Sequence, residues 1–116
     1  MDTYQAIFHL TAIDKWPQVL ANVTNLLKDL SKDSVEVIVL VNGPAVKSYD
    51  STYEPVNFKD KMTRLNEQGV TFKACNNSLN GLELSKDNLY AFVEIVPAGV
   101  SELVRKQQEG FAYIKP

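Results

Sequence analysis

The sequence predicts an α/β domain built on a parallel sheet, and three observations carry that reading. Strand-length apolar runs alternate with segments whose apolar residues recur at helical spacing. The run Val37 to Val41 is unbroken and largely β-branched, as expected for a strand covered on both faces. Turn-forming Asn, Gly and Pro residues follow several of the strands. Alternation of this kind implies right-handed crossovers and a sheet sandwiched between helices.

The first strand is Tyr4 to Leu10, with Ala6, Ile7, Phe8 and Leu10 as its apolar content. Asp14 to Trp16 opens the first helix, and Pro17 fits its first turn, where a missing N–H costs nothing. Leu20, Val23, Leu27 and Leu30 then mark one helical face. The second strand is Ser34 to Val41, ended by Asn42-Gly43-Pro44. A looser segment, Ala45 to Pro55, contains a short helix near Val46 to Tyr49; Tyr49 and Tyr53 read as surface aromatics or as local packing residues. Asn57 caps the next helix, which Phe58, Met62 and Leu65 line and Gly69 ends.

Val70 to Ala74 is the third strand, and Cys75-Asn76-Asn77-Ser78 is the turn after it, with Ser78 capping a short helix to Leu84. Ser85 to Leu89 reads as a turn. The fourth strand, Ala91 to Val96, ends in Pro97-Ala98-Gly99. Val100, Leu103, Val104 and Gln107 mark the inner face of the last helix, Gly110 stops it, and Phe111 to Ile114 is the fifth strand. The whole chain, residues 1–116, reads as a single domain.

Composition narrows the function classes. A formal charge of −2, with Lys and Arg scattered, argues against nucleic acid and against anionic membranes as partners. No stretch reaches the roughly 20 apolar residues of a membrane helix. Met1-Asp2-Thr3-Tyr4 lacks the basic start of a signal peptide, so a cytoplasmic location is expected. The single cysteine cannot form an internal disulfide. One Cys and one His cannot build a tetrahedral zinc site, and no Gly-rich phosphate loop is present. Glu54, Glu67, Glu83 and Glu94 show no pairing for acid–base work.

In a parallel sheet the loops that follow strands share one edge, and ligands bind there. That edge gathers His9, Asn42, Gly43, Cys75, Asn76, Asn77, Pro97 and Gly99. Cys75 lies just ahead of a helix, where free N–H groups and the positive dipole end favour thiolate. The asparagine amides can also donate to it, and Gly43 and Gly99 let backbone approach a ligand closely. The other reading of Cys75 is a small buried hydrophobe. His9 is either a base for Cys75 or a hydrogen-bonded histidine at a strand end.

The run Gly69-Val70-Thr71-Phe72-Lys73-Ala74-Cys75-Asn76-Asn77-Ser78-Leu79 resembles the central motif of the DsrE/DsrF-like family. The segment from Val96-Pro97-Ala98-Gly99 to Ile114 agrees with it, as do Phe8-His9-Leu10, Asn25-Leu26-Leu27 and Val41-Asn42-Gly43-Pro44-Ala45-Val46. The resemblance implies a three-layer α/β/α sandwich with a five-stranded parallel sheet, assembled as a trimer or hexamer. It also implies a sulfur-handling protein that carries persulfide on Cys75 between donor and acceptor proteins, without metal or organic cofactor. With no second cysteine for a resolving step, the sequence looks closer to the stand-alone branch of that family than to its relay subunits. Two alternatives stand beside that role: a small-molecule-binding oligomeric module without thiol chemistry, and a purely structural oligomer.

Overall fold

The computed structural model describes residues 3–55 and 57–116; the amino-terminal reading on Met1 and Asp2 lies outside them. Five strands, β1 (Thr3–Leu10), β2 (Ser34–Val41), β3 (Thr71–Cys75), β4 (Val93–Val96) and β5 (Ala112–Ile114), form one sheet in the order β4-β3-β2-β1-β5. Every pairing is parallel. The helices are α1 (Trp16–Asp29), α2 (Lys59–Glu67), α3 (Asn76–Gly81) and α4 (Gly99–Gln108).

Side chains alternate between the faces of the sheet. Ala6, Phe8, Leu10, Val37, Val39, Val41, Phe72 and Ala74 face the larger core cluster, which Trp16, Val19, Leu20 and Val23 of α1, Met62 and Leu65 of α2, and Leu79 of α3 complete. Ile7, Ile38, Leu40 and Val96 face the other way and pack with Leu103 of α4 and Phe111. The fold is therefore three-layered, with three helices on one face and one on the other. Handedness dictates this division. The first three crossovers run toward the β4 edge, whereas the last runs back past β1 to β5, and right-handed connections in opposite directions use opposite faces.

Several local expectations change. Tyr49 is fully buried rather than a surface residue. It lies in a 3-10 segment, Gly43–Tyr49, that folds under the sheet; its ring meets Trp16 edge-on at 5.4 Å. The Trp16 indole N–H in turn donates to Ala45 O at 2.9 Å. β4 and β5 are shorter than expected, because Ala91 and Phe92 belong to the preceding turn and Phe111 to the core. Asn57 does serve α2, its Oδ1 accepting from Lys59 N–H at 2.8 Å. The short helix after β3 starts at Asn76, three residues before the expected start, so Cys75 and not Ser78 is its N-cap.

One ion pair ties α4 to the sheet. Lys73 of β3 projects toward α4, and its Nζ lies 2.5 Å from Glu102 Oε2, with the two side chains only 12% and 8% exposed. Arg105 also reaches Glu102, at 3.2 Å. Burial raises the Glu102 carboxyl pKa, but the Lys73 and Arg105 contacts outweigh it and hold it below the usual 4.5. The folded state thus binds fewer protons than the unfolded chain in that range, so stability rises with pH there. The contribution is present above the ordinary carboxylate pKa and is lost as pH falls through the lower folded value. Denaturant titration of Glu102→Gln should show a loss of roughly 2 kcal/mol at pH 7, because Lys73 is left without its counter-charge. The acid-side slope of stability should flatten in the same variant. Lys73→Met combined with Glu102→Leu should recover most of that loss.

Candidate functional site

The division of helices between faces locates a crevice. β3 hands the chain to α3 on the larger-core face, and its neighbour β4 hands it to α4 on the other. Adjacent strands whose following helices diverge leave a gap outside their carboxyl ends, which is the topological switch point of an open α/β sheet. Cys75 closes β3 and pairs in register with Val96, the last residue of β4.

Cys75 occupies the N-cap of α3, with extended backbone at φ −73° and ψ 119°. At that position a side-chain oxygen ordinarily accepts from the second and third helical N–H groups. The Cys75 side chain makes no capping hydrogen bond of ordinary geometry, but the Gly99 N–H at the start of α4, the Ser78 hydroxyl and the N–H groups of Ser78 and Asn77 are near enough to favour its thiolate. The residue is 6% exposed. Burial pushes the thiol pKa up, but the four donors outweigh it, and the net position is below the ordinary thiol value. The sulfur is sheltered and polar at once.

The neighbouring loops are wired to this point. Gly43 adopts φ +60°, and a Cβ there would stand 2.8 Å from Thr11 Cγ2, so both conformation and space require glycine. That conformation delivers the Gly43 N–H to Ser78 Oγ at 2.8 Å. Because Ser78 Oγ accepts from Gly43, its own hydrogen is left for Cys75. Gly99 is buried because a side chain would fill the crevice: its Cβ would lie 3.4 Å from Cys75 Cβ, 3.6 Å from Asn42 Cβ and 3.8 Å from Asn42 Nδ2.

His9 joins one step away. Its Nδ1 lies 2.7 Å from the Tyr113 hydroxyl and its Nε2 3.1 Å from Asn42 Oδ1. Thr11 Oγ1 donates to the same Asn42 Oδ1 at 2.6 Å. Burial lowers the imidazole pKa below 6.5, the Asn42 contact opposes that, and the Lys115 charge adds to the lowering. A neutral ring with Nε2–H donating to Asn42 and Nδ1 accepting from Tyr113 satisfies the whole set. Both ring nitrogens are thereby engaged away from Cys75.

Of the residues singled out in the sequence, Cys75, Asn77, Gly99, Asn42 and Gly43 meet at the crevice, and His9 supports Asn42. Asn77 contributes its backbone N–H rather than its amide. Asn76 is the first residue of α3, and its Oδ1 is shielded from solvent with no donor among the described residues. Pro97 stands exposed at the lip after β4. Ser78, Thr11 and Tyr113 were not anticipated. Only Ser78 had a legible signal, since it stands three residues after the N-cap, where a side chain can reach back. Among the described residues, no three His, Cys, Asp or Glu side chains are grouped as a metal site requires, and no helix is long and apolar enough to cross a membrane.

The sequence pattern of the DsrE/DsrF-like family matches residues 17–116. No curated protein matches the chain. Among solved structures, MTH1491 from Methanobacterium thermoautotrophicum, described as a protein of unknown function, superposes with a TM-score of 0.87 at 33% identity, over 97% of this chain and 99% of that one. The ychN protein of E. coli superposes with a TM-score of 0.78 at 18% identity over the same shares, a likeness of fold.

Removing one donor should be visible in thiol chemistry. Ser78→Ala should shift the pH profile of iodoacetamide alkylation to higher pH and slow the reaction at pH 7 by roughly tenfold, the effect of one hydrogen bond to a charged group. An unchanged profile would show that the hydroxyl does not act on the sulfur.

Proposed function

The chain belongs to the DsrE/DsrF-like family, and from that premise we propose that it handles sulfur, carrying persulfide on Cys75 for transfer between proteins. The observation that carries this reading is the sulfur itself, buried yet faced by four donors that lower its pKa. A structural cysteine in an apolar core has its pKa raised, not lowered.

The step is a thiol exchange. The Cys75 thiolate attacks the outer sulfur of a donor persulfide, R–S–SH. A sulfur–sulfur bond forms to Cys75 as the donor's own breaks, and the donor departs as its thiolate, R–S⁻, to be protonated by solvent. The acceptor's thiolate then attacks the outer sulfur on Cys75 in the same way, and Cys75 leaves as the stabilised thiolate. The transfer needs no external oxidant or reductant, and neither metal nor organic cofactor takes part. A leaving thiolate of lowered pKa speeds the second step.

The reading extends to a cytoplasmic homo-oligomer, trimeric or hexameric. In its support, Val100 and Val104 of α4, expected on the inner face of that helix, are instead 67% and 53% exposed, Leu103 alone of the four residues expected there being buried, and Tyr113 projects from the same side of the sheet at 40%. A second reading, a small-molecule module without thiol chemistry, draws on a cleft of about 500 Å³ beside His9 and Thr11, with Lys15 and Lys115 in its wall.

Treatment with a low-molecular-weight persulfide, followed by intact-mass measurement, should add one sulfur atom to the wild-type protein and none to Cys75→Ser. Equal addition to both would end the carrier reading. A metabolite that raised the melting temperature of wild type and Cys75→Ser alike would favour the binding module.

A further inference from the structure

The donors aimed at Cys75 serve the sulfur of the cysteine itself. A persulfide carries its charge on the next sulfur out, and that atom needs a partner of its own. We infer that Asn42 supplies it: its amide N–H donates to the outer sulfur carried on Cys75, and Thr11 and His9 are positioning residues that hold the amide in that sense. The inference rests on the carrier reading above.

The orientation of the amide follows from its partners. Asn42 Oδ1 accepts from Thr11 Oγ1 at 2.6 Å and faces His9 Nε2 at 3.1 Å. Thr11 Oγ1 donates to that oxygen, and with its hydrogen on Nε2 the His9 ring donates to it as well, so the oxygen lies on the Thr11 and His9 side. The Nδ2 group is therefore directed away from Thr11 and His9. It lies within 4 Å of the point where a Gly99 side chain would begin, and Cys75 Cβ is 3.4 Å from that same point. No acceptor among the described residues is paired with Nδ2, so its two hydrogens are available at the crevice. The absence of a side chain on Gly99 leaves the space between Asn42 and Cys75 for one further atom.

Fixing the amide from behind is what makes it useful. An unrestrained asparagine could turn its oxygen toward a sulfur anion and repel it. Here that rotation would give up the hydrogen bond from the Thr11 hydroxyl and require His9 to take its other tautomer, with Nδ1–H donating to Tyr113. The second hydrogen bond that holds His9, from the Tyr113 hydroxyl on β5, extends the brace across the sheet edge.

The test separates uptake of sulfur from its retention. Reduced wild type, Asn42→Leu and Asn42→Asp are compared for alkylation rate at pH 7, and then for survival of the added sulfur after the low-molecular-weight persulfide is replaced by a fixed excess of a small thiol, whose thiolate takes the outer sulfur as its own persulfide and leaves Cys75 as thiolate, followed by intact mass. Asn42→Leu should lose its added sulfur roughly tenfold faster than wild type once any change in its alkylation rate is divided out, the worth of one hydrogen bond to an anion. Asn42→Asp keeps acceptors for Thr11 and His9 but presents charge in place of a donor, so its added sulfur should be lost at least as fast. It also decides the matter if the leucine variant folds poorly. Retention equal to wild type in either folded variant overturns the assignment. If wild type itself takes up no sulfur, the carrier reading falls first, and this inference with it.

Discussion

Everything at the carboxyl edge follows from one constraint: β3 and β4 lie side by side, yet the chain must leave them toward opposite faces of the sheet. Right-handed connection forces this once the order is β4-β3-β2-β1-β5, because the last crossover alone runs back toward β5. The strands cannot be capped by a shared helix, so the starts of α3 and α4 converge on the gap from either side. Each brings free N–H groups, and Cys75 stands where both sets point. Glu102 in the first turn of α4 and Lys73 on β3 then pin that helix to the strand carrying the cysteine.

A cysteine that is 6% exposed and still has its thiol pKa lowered needs a balance of magnitudes. Sheltering a charge from water costs several kcal/mol, and a hydrogen bond to a charged group returns about 1.5–3 kcal/mol. One donor would not suffice; four directed at one atom do, which is the sense of the lowered pKa. The same comparison explains why glycine stands at position 99. A side chain would occupy the crevice between Cys75 and Asn42.

The architecture was legible because periodicity reports it directly. Alternating strand-length and helix-length apolar patterns predicted five strands in the right places, and the unbroken Val37 to Val41 run marked a strand covered on both faces. The shared edge of loops, with Cys75, Asn42, Gly43 and Gly99 on it, followed from parallel pairing. What stayed hidden depends on contacts between distant residues. Tyr113 is 104 residues from His9, and Lys73 is 29 from Glu102; no local pattern announces either pair. The sequence left Tyr49 open between a surface and a packing role because a 3-10 segment lacks the spacing that marks a buried helical face. Ser78 was read as a cap because cysteine is not a usual N-cap residue, so the helix was started too late.

The Ser78 hydroxyl has a consequence beyond its effect on ionisation. A serine hydroxyl is commonly a free rotor, but this one receives the Gly43 N–H on its oxygen at 2.8 Å and lies beside Cys75, whose thiol pKa it helps to lower. Gly43 is held in turn by its left-handed backbone and by the tight space beside Thr11. Direction therefore passes one way along the sequence Gly43, Ser78, Cys75, like a latch that closes from the β2 side. The turn after β2 is thus a positional reference for the sulfur, set from a strand other than the one that bears it.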